Sequence, residues 1–413
     1  MLRAGPERAT EQEGSQEATQ EGTQEATEES TEEGTEEGAL EKSGAPKAQP
    51  TFRPVDLDAF PEVDALLVRL GLGALVRDSV SAPVGRNHAW AGDTTSGRRV
   101  FVKRLVGPEA DVRARMKRLL SFEEFVGHVD GLRGHVPALL GFDEDAQLVV
   151  FAHVEAESGA ELMVDQTFGG DLAFAVGRAI GCLHAAVPGA ELDRSLPSLP
   201  DAGLLRAMPL AMYNELSFAE LEAWRLMQHD AALIEALEVL QEWESRAPRV
   251  PSHCDFRVDQ LLVGDDHVPI LADWEEFRLA DPARDVGSFA GEWLYRSVLD
   301  IVTRRGDTGP SAFDDLELTH DQVLARGAEK LERLLPLVHR FWDGYRTVRT
   351  DLDAQFTVRA TAFAGWHLLD RLIAGAAQSQ RLSGIERAAA GIGRGALLTP
   401  HKFAPLLGFE VTT

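Results

Sequence analysis

The sequence predicts an α+β fold in two lobes, a small strand-rich N-terminal lobe followed by a larger helical one. Three observations carry that prediction. Short apolar runs bounded by turn residues fill the chain from about Trp90 to Phe151, whereas helical spacing of apolar residues dominates beyond it. One of those runs, Val100–Phe101–Val102–Lys103, carries a lysine inside it. Farther on, the polar stretch Ser252–His253–Cys254–Asp255–Phe256–Arg257–Val258–Asp259–Gln260 precedes two short apolar runs, the second ending in Asp273–Trp274–Glu275. The expected divisions are a tail over 1–50, a first lobe over 51–152 and a helical lobe over 153–413.

Composition narrows the function. The formal charge is −26, which disfavours nucleic acid and anionic membrane surfaces as partners. Residues 1–50 hold thirteen Glu against four Lys and Arg, in imperfect Thr–Gln–Glu–Ala and Thr–Glu–Glu–Gly repeats. So little there can be buried that the tail is predicted to be disordered. Two cysteines, Cys182 and Cys254, make no disulfide framework, and neither a secretory segment nor a membrane span is evident. A cytoplasmic location follows as the expectation.

In chain order, Leu57, Phe60, Val63, Leu66, Leu67 and Leu70 keep helical spacing and stop near Gly71 and Gly73. Residues 84–92 and 99–105 then read as two strands joined by a turn at Thr94–Gly97. A lysine within such a strand is how a nucleotide-binding lobe presents a cation to phosphates, so Lys103 is assigned to them. The loop before the first strand has only Gly85 and Gly92 around Asn87, and Gly85 with Asn87 is expected to cover the phosphates. Residues 109–126 read as a helix, and Glu123, better placed among apolar residues than Glu124, is assigned to pair with Lys103. Two more strands follow at Val136–Phe142 and Gln147–Phe151. Ala152–His153–Val154–Glu155 is the expected linker, with the His153 backbone placed against a nucleotide base. Cys182–Leu183–His184 closes an apolar helix, and His184 is read as a core or capping histidine. Helices rich in Leu, Ala and Trp fill 190–249, and helical spacing resumes after Asp285.

The stretch from His253 to Glu275 carries the chemistry. A loop carboxylate, Asp255, can orient an acceptor hydroxyl and take its proton. A side-chain amide, Gln260, and a second carboxylate, Asp273, supply oxygens for magnesium on the nucleotide phosphates, with Glu275 as a further contact. His253 is assigned to holding the loop by hydrogen bonds. No second Cys or His stands at ligand spacing from His253 and Cys254, so a zinc site is rejected.

That order of residues resembles H-R-D-x-x-x-x-N followed by D-F-G of protein kinases, with Gln260 in the Asn position and Trp274–Glu275 replacing Phe–Gly. It is more similar to the aminoglycoside-phosphotransferase-like branch of that superfamily, which includes choline kinases and maltokinases and carries H-G-D, then Asn or Gln, then D-F-E or D-W-E. Asp281–Pro282–Ala283–Arg284–Asp285 suits that branch as well. The resemblance implies a two-lobed protein kinase-like fold, ATP and Mg2+ as cofactors, and Asp285 anchoring the catalytic loop through backbone N–H groups, with Arg284 assisting. Cys254 stands where the branch usually has glycine and is read as a tolerated small residue.

Three further stretches, 85–105, Ser121–Phe122–Glu123 and Glu157–Ser158–Gly159–Ala160–Glu161–Leu162, resemble the kinase subunits of class V lanthipeptide and thioamitide biosynthesis. That likeness spans roughly residues 60–400 and implies phosphorylation of Ser or Thr in a ribosomal precursor peptide, with separate lyase and cyclase subunits as partners. Two readings stand beside it: a small-molecule kinase acting on an aminoglycoside, sugar or choline, and a nucleotide-binding pseudokinase. Retention of Lys103, Asp255, Gln260 and Asp273 together argues against the last.

Overall fold

The structure, a computed structural model, describes residues 54–409 apart from residues 190, 201, 304 and 306–318. The tail expected to be disordered lies outside the described residues. The helical run from Leu57 divides in two, a 3-10 turn Leu57–Ala59 and helix α1, Pro61–Arg69. Pro61 supplies no N–H and so begins a helix better than it continues one. Strands β1, His88–Asp93, and β2, Arg99–Arg104, form an antiparallel hairpin through a turn closed by Gly97 at φ +79°.

Helix α2, Glu109–Val126, leads to strands β3, Leu139–Asp143, and β4, Leu148–Ala152. The four strands make one antiparallel sheet in the order β1-β2-β4-β3. Val63, Leu66 and Leu67 of α1 pack against Trp90, Val100, Val102, Leu148 and Val150 on one face. On the other, Val112, Met116 and Leu119 of α2 cover Leu105 and Val149. Alternation along β2 therefore puts Lys103 on the face opposite Val100 and Val102.

The larger lobe begins with β5, Glu157–Ser158, and α3, Gly159–Asp165, whose start carries a reciprocal Ser158–Glu161 cap. Helices α4 (Gly170–Ala185), α5 (Ala202–Arg206), α6 (Leu210–Glu215), α7 (Phe218–Gln228) and α8 (Ala231–Arg246) follow. Four short strands then carry the chain through the catalytic stretch: β6, Val250–Ser252; β7, Leu261–Val263; β8, Pro269–Leu271; and β9, Arg278–Ala280. β6 pairs with β9, while β7 pairs with both β5 and β8. These pairings fix both ends of each loop between them. The remaining helices are α9 (Ala283–Leu299), α10 (His320–Arg346), α11 (Phe356–Ala377), α12 (Gly384–Leu398) and α13 (Pro400–Phe403). Phe289, Trp293, Phe341, Tyr345, Phe356 and Phe363 are buried where α9, α10 and α11 meet. Among the described residues, no helix is long and apolar enough to cross a membrane.

Candidate active site

The chain leaves β6 at Ser252 and turns at once. Cys254 sits at φ +69°, a left-handed conformation that throws the next side chain, Asp255, into the cleft, where it is 41% exposed. A carboxylate from the first turn of α9 braces that turn: Asp285 Oδ2 accepts from the His253 N–H at 2.7 Å and Oδ1 from the Cys254 N–H at 2.8 Å. His184 Nε2 lies 3.0 Å from Asp285 Oδ2, and His184 Nδ1 lies 3.0 Å from the Tyr345 hydroxyl. Burial pushes the Asp285 carboxyl up, but His184, His253 and the backbone donors outweigh it and hold it below the ordinary aspartate value. His253 Nε2 lies 3.0 Å from the Ala272 carbonyl and so ties the loop to the stretch carrying Asp273.

Asp255 Oδ2 accepts a hydrogen bond from Gln260 Nε2 at 3.1 Å, with Arg257 Nη1 3.8 Å away. Gln260 Oε1 accepts from the Arg257 N–H at 3.3 Å, so the amide is fixed with its nitrogen toward Asp255. Desolvation in the cleft raises the Asp255 pKa above the ordinary aspartate value, against the pull of Arg257. A carboxylate shifted in that direction is a better proton acceptor near neutral pH.

Across the cleft Lys103 Nζ makes an ion pair with Asp273 Oδ1 and lies 3.0 Å from Glu275 Oε2. Burial works against the ammonium, yet the two carboxylates together hold its pKa above that of an ordinary lysine. Asp273, at φ +68°, ends the β8 segment and opens a 3-10 turn, Trp274–Glu276. Burial raises its carboxyl and Lys103 more than reverses that, leaving it below the ordinary range.

Glu275, assigned from sequence as a metal contact, is occupied with cations and an amide instead. Arg115 Nη1 lies 3.2 Å from its Oε1, and Asn87 Nδ2 donates to its Oε2 at 3.0 Å. Asn87 is likewise committed: its Oδ1 accepts from the Val106 N–H at 3.0 Å and from Arg115 Nη1 at 3.1 Å. Its amide thus straps the loop before β1 to Val106, Arg115 and Glu275. Gly85, ahead of it, is exposed, and a Cβ there would meet nothing within 4 Å.

Glu123, assigned to pair with Lys103, does not reach it. Its carboxyl has no hydrogen-bond or ion partner among the described residues, and burial alone raises its pKa to about 7. Arg115, Arg118 and Phe122, spaced i, i+3 and i+7, form the face of α2 that meets Trp274–Glu276. Phe122 stacks on Trp274 with ring centroids 3.7 Å apart, and Arg118 Nε donates to the Glu275 carbonyl at 2.8 Å. Sequence reading missed these two arginines; their signal was a pair of cations at the spacing of a helix face that also carries a buried aromatic. At the linker, the His153 N–H donates to the Arg99 carbonyl at 3.2 Å, while burial lowers the ring's pKa. His184, read as a core or capping histidine, is buried in the core and braces Asp285 from there.

The donor set fits magnesium. Asp273 offers hard carboxylate oxygens, and Gln260 Oε1, which accepts from the Arg257 N–H, has a second lone pair; the Ala272 N–H, donating to the Gln260 backbone carbonyl at 2.9 Å, ties the two stretches together. Magnesium is commonly held by one or two protein oxygens plus phosphates and water, not by an all-protein cage. Among the described residues, no three His, Cys, Asp or Glu side chains converge on a metal position.

The sequence profile of the phosphotransferase enzyme family matches residues 86–316, from the loop before β1 past the catalytic stretch. No curated protein sequence matches the chain. Among solved structures, the chain is similar to choline kinase LicA from Streptococcus pneumoniae, with 14% identity, coverage of 83% of this chain and 99% of that one, and a TM-score of 0.47. It is also similar to amicoumacin kinase hAmiN, with 14% identity, coverage of 83% and 96%, and a TM-score of 0.49. Aminoglycoside phosphotransferase APH(2'')-Ib shows 13% identity, coverage of 84% and 99%, and a TM-score of 0.47.

Proposed function

The chain belongs to the phosphotransferase enzyme family, whose profile spans more than half of it, and from that premise we propose that it transfers the terminal phosphoryl group of ATP to a hydroxyl of a peptide. The observation that carries the transfer is the placement of Asp255, on a loop pinned by Asp285 and hydrogen-bonded to Gln260, in the same cleft as Lys103 and Asp273. Asp255 orients the acceptor hydroxyl and receives its proton as the oxygen bonds to phosphorus. Lys103 turns its ammonium to the inner phosphates. Gln260 and Asp273 would hold the magnesium, which would supply neutralisation of charge on the phosphate oxygens. His253 and Asp285 keep the loop rigid, so the hydroxyl meets the phosphorus in one geometry.

The acceptor we infer is Ser or Thr of a ribosomal precursor peptide, with a separate lyase eliminating the phosphate afterwards. The three stretches that resemble lanthipeptide kinase subunits support this. So does the segment between α4 and the catalytic loop, where Leu210, Tyr213 and Phe218 are 74%, 54% and 70% exposed. Exposed apolar side chains of this kind are what an extended peptide would be expected to cover.

The test is magnesium-dependent transfer from labelled ATP, read by mass spectrometry on a panel of a precursor peptide, aminoglycosides, maltose and choline. A gain of about 80 Da on a peptide Ser or Thr is the expected result. A gain on a small molecule alone replaces the peptide reading with a small-molecule kinase. ATP binding without transfer to anything makes the protein a nucleotide-binding pseudokinase. Asp255→Ala is expected to lower turnover by at least 1,000-fold, on the order of a general base plus positioning, with ATP affinity unchanged. Asp273→Ala is expected to abolish turnover and weaken magnesium-dependent ATP binding. Full turnover by Asp255→Ala would remove the role given to that residue.

A further inference from the structure

Lys103 has two carboxylates within reach, and their surroundings differ. Asp273 is 30% exposed at its side chain, and Lys103 is its one ion-pair partner among the described residues. Glu275 is 8% exposed and held by Lys103, Arg115 and Asn87 together. Arg115 is itself fixed: its side chain is fully buried, Nη2 donates to the Val106 carbonyl at 2.6 Å, and Nε lies 3.0 Å from Asp111 Oδ2. Asn87 closes the ring by joining Val106, Arg115 and Glu275. One carboxylate can swing toward a metal; the other cannot leave.

We propose that Glu275, clamped by Arg115 and Asn87, is the residue that positions Lys103 for the nucleotide phosphates, and that helix α2 acts on the site through Arg115. The polarity of the lysine–helix link is thereby inverted. The carboxylate comes from the 3-10 turn after Asp273, and the helix contributes the cation that holds it. When Asp273 turns to the metal, Lys103 keeps one anionic partner and stays in the cleft. A buried arginine is costly unless its charge is met; here Glu275 and Asp111 meet it, and Nη1 and Nη2 are hydrogen-bonded to groups that touch the site. The inference rests on the nucleotide-binding reading above.

Two readouts test it. Without nucleotide, acylation of Lys103 by an amine-reactive acetyl ester is followed site by site by mass spectrometry. Glu275→Gln removes the clamped anion that holds Nζ in place, so Lys103 is expected to label at least three times faster. With MgATP, Glu275→Gln is expected to lower kcat more than tenfold, and Glu275→Asp to recover part of the loss. Glu123→Gln is expected to leave both readouts within twofold of the parent chain. The proposal is overturned if Glu275→Gln keeps labelling and kcat within twofold, or if Glu123→Gln matches its losses. Should Glu275→Gln fail to fold, Arg115→Lys carries the same test, because it keeps the charge but loses the fork to Asn87 and Val106. MgATP must also slow acylation of Lys103 in the parent chain. If it does not, the nucleotide reading falls and this inference with it; protection in the parent beside an indifferent Glu275→Gln sinks the inference alone.

Discussion

At Cys254 a non-glycine residue occupies φ +69° between the two residues the catalytic loop most needs to fix. The conformation crowds Cβ against the backbone at a cost of roughly 1–2 kcal/mol. The N–H groups of His253 and Cys254, both bound by Asp285, impose it. Cys254→Gly relieves the crowding but loosens the unfolded chain by about 0.4–1 kcal/mol, which offsets roughly half of the gain. Its melting temperature is expected within a degree or two of the parent. Cys254→Val, β-branched at positive φ, is expected to lose about 2 kcal/mol and to melt several degrees lower. Thermal melts of the two variants check this, and a valine variant melting with the parent would show the turn to be unstrained. The sequence made Asp255, Gln260 and Asp273 legible because the chemistry demands those groups in that order. The strained turn was legible only as a cysteine in a glycine's place.

Helix α2 shows where sequence reading stopped. Its limits, 109–126, follow from apolar spacing and match the element, but which face meets the cleft is decided by the partner. Val112, Met116 and Leu119 lie under the sheet, and Glu123, four residues past Leu119, continues that stripe. Phe122, one residue earlier and about 100° around the helix, stacks on Trp274. A one-residue difference thus separates the site face from the sheet face, and no pattern in the helix alone could choose between them. Glu123 has a measurable consequence. Burial raises its pKa from 4.5 to about 7, so the folded chain holds that proton more tightly than the unfolded one. Stability contributed this way is full below about pH 4.5 and is lost as pH rises toward 7. Glu123→Gln keeps the shape without the titration. The parent's melting temperature is therefore expected to fall relative to the variant's between pH 5 and pH 8, and parallel curves across that range would refute the half-buried, unpaired carboxylate.

Across the whole molecule, the catalytic loop is held by a relay that begins in the helical core. Tyr345 of α10 meets His184 of α4, His184 meets Asp285 of α9, and Asp285 meets the backbone of His253 and Cys254. The relay needs α4 and α10 at close quarters, and glycines on both helices provide that. A Cβ on Gly177 would stand 2.0 Å from the Phe341 carbonyl oxygen, and one on Gly344 would stand 2.0 Å from that of Phe174. Each obstacle is backbone, so neither can yield without the helices parting. Gly177→Ala is therefore expected to cost about 3 kcal/mol, at the upper end for overpacking, and to weaken the Tyr345–His184 contact that braces the loop. Gly391→Ala in α12, where a Cβ meets nothing within 4 Å, is the matched control. Melting temperature and turnover at a temperature where both variants are folded would be measured together. The Gly177 variant should lose turnover as well as stability, because the strain lies at one end of the relay and the loop carrying Asp255 at the other. Loss of stability with turnover intact would show that the loop keeps its geometry without the helical core behind it.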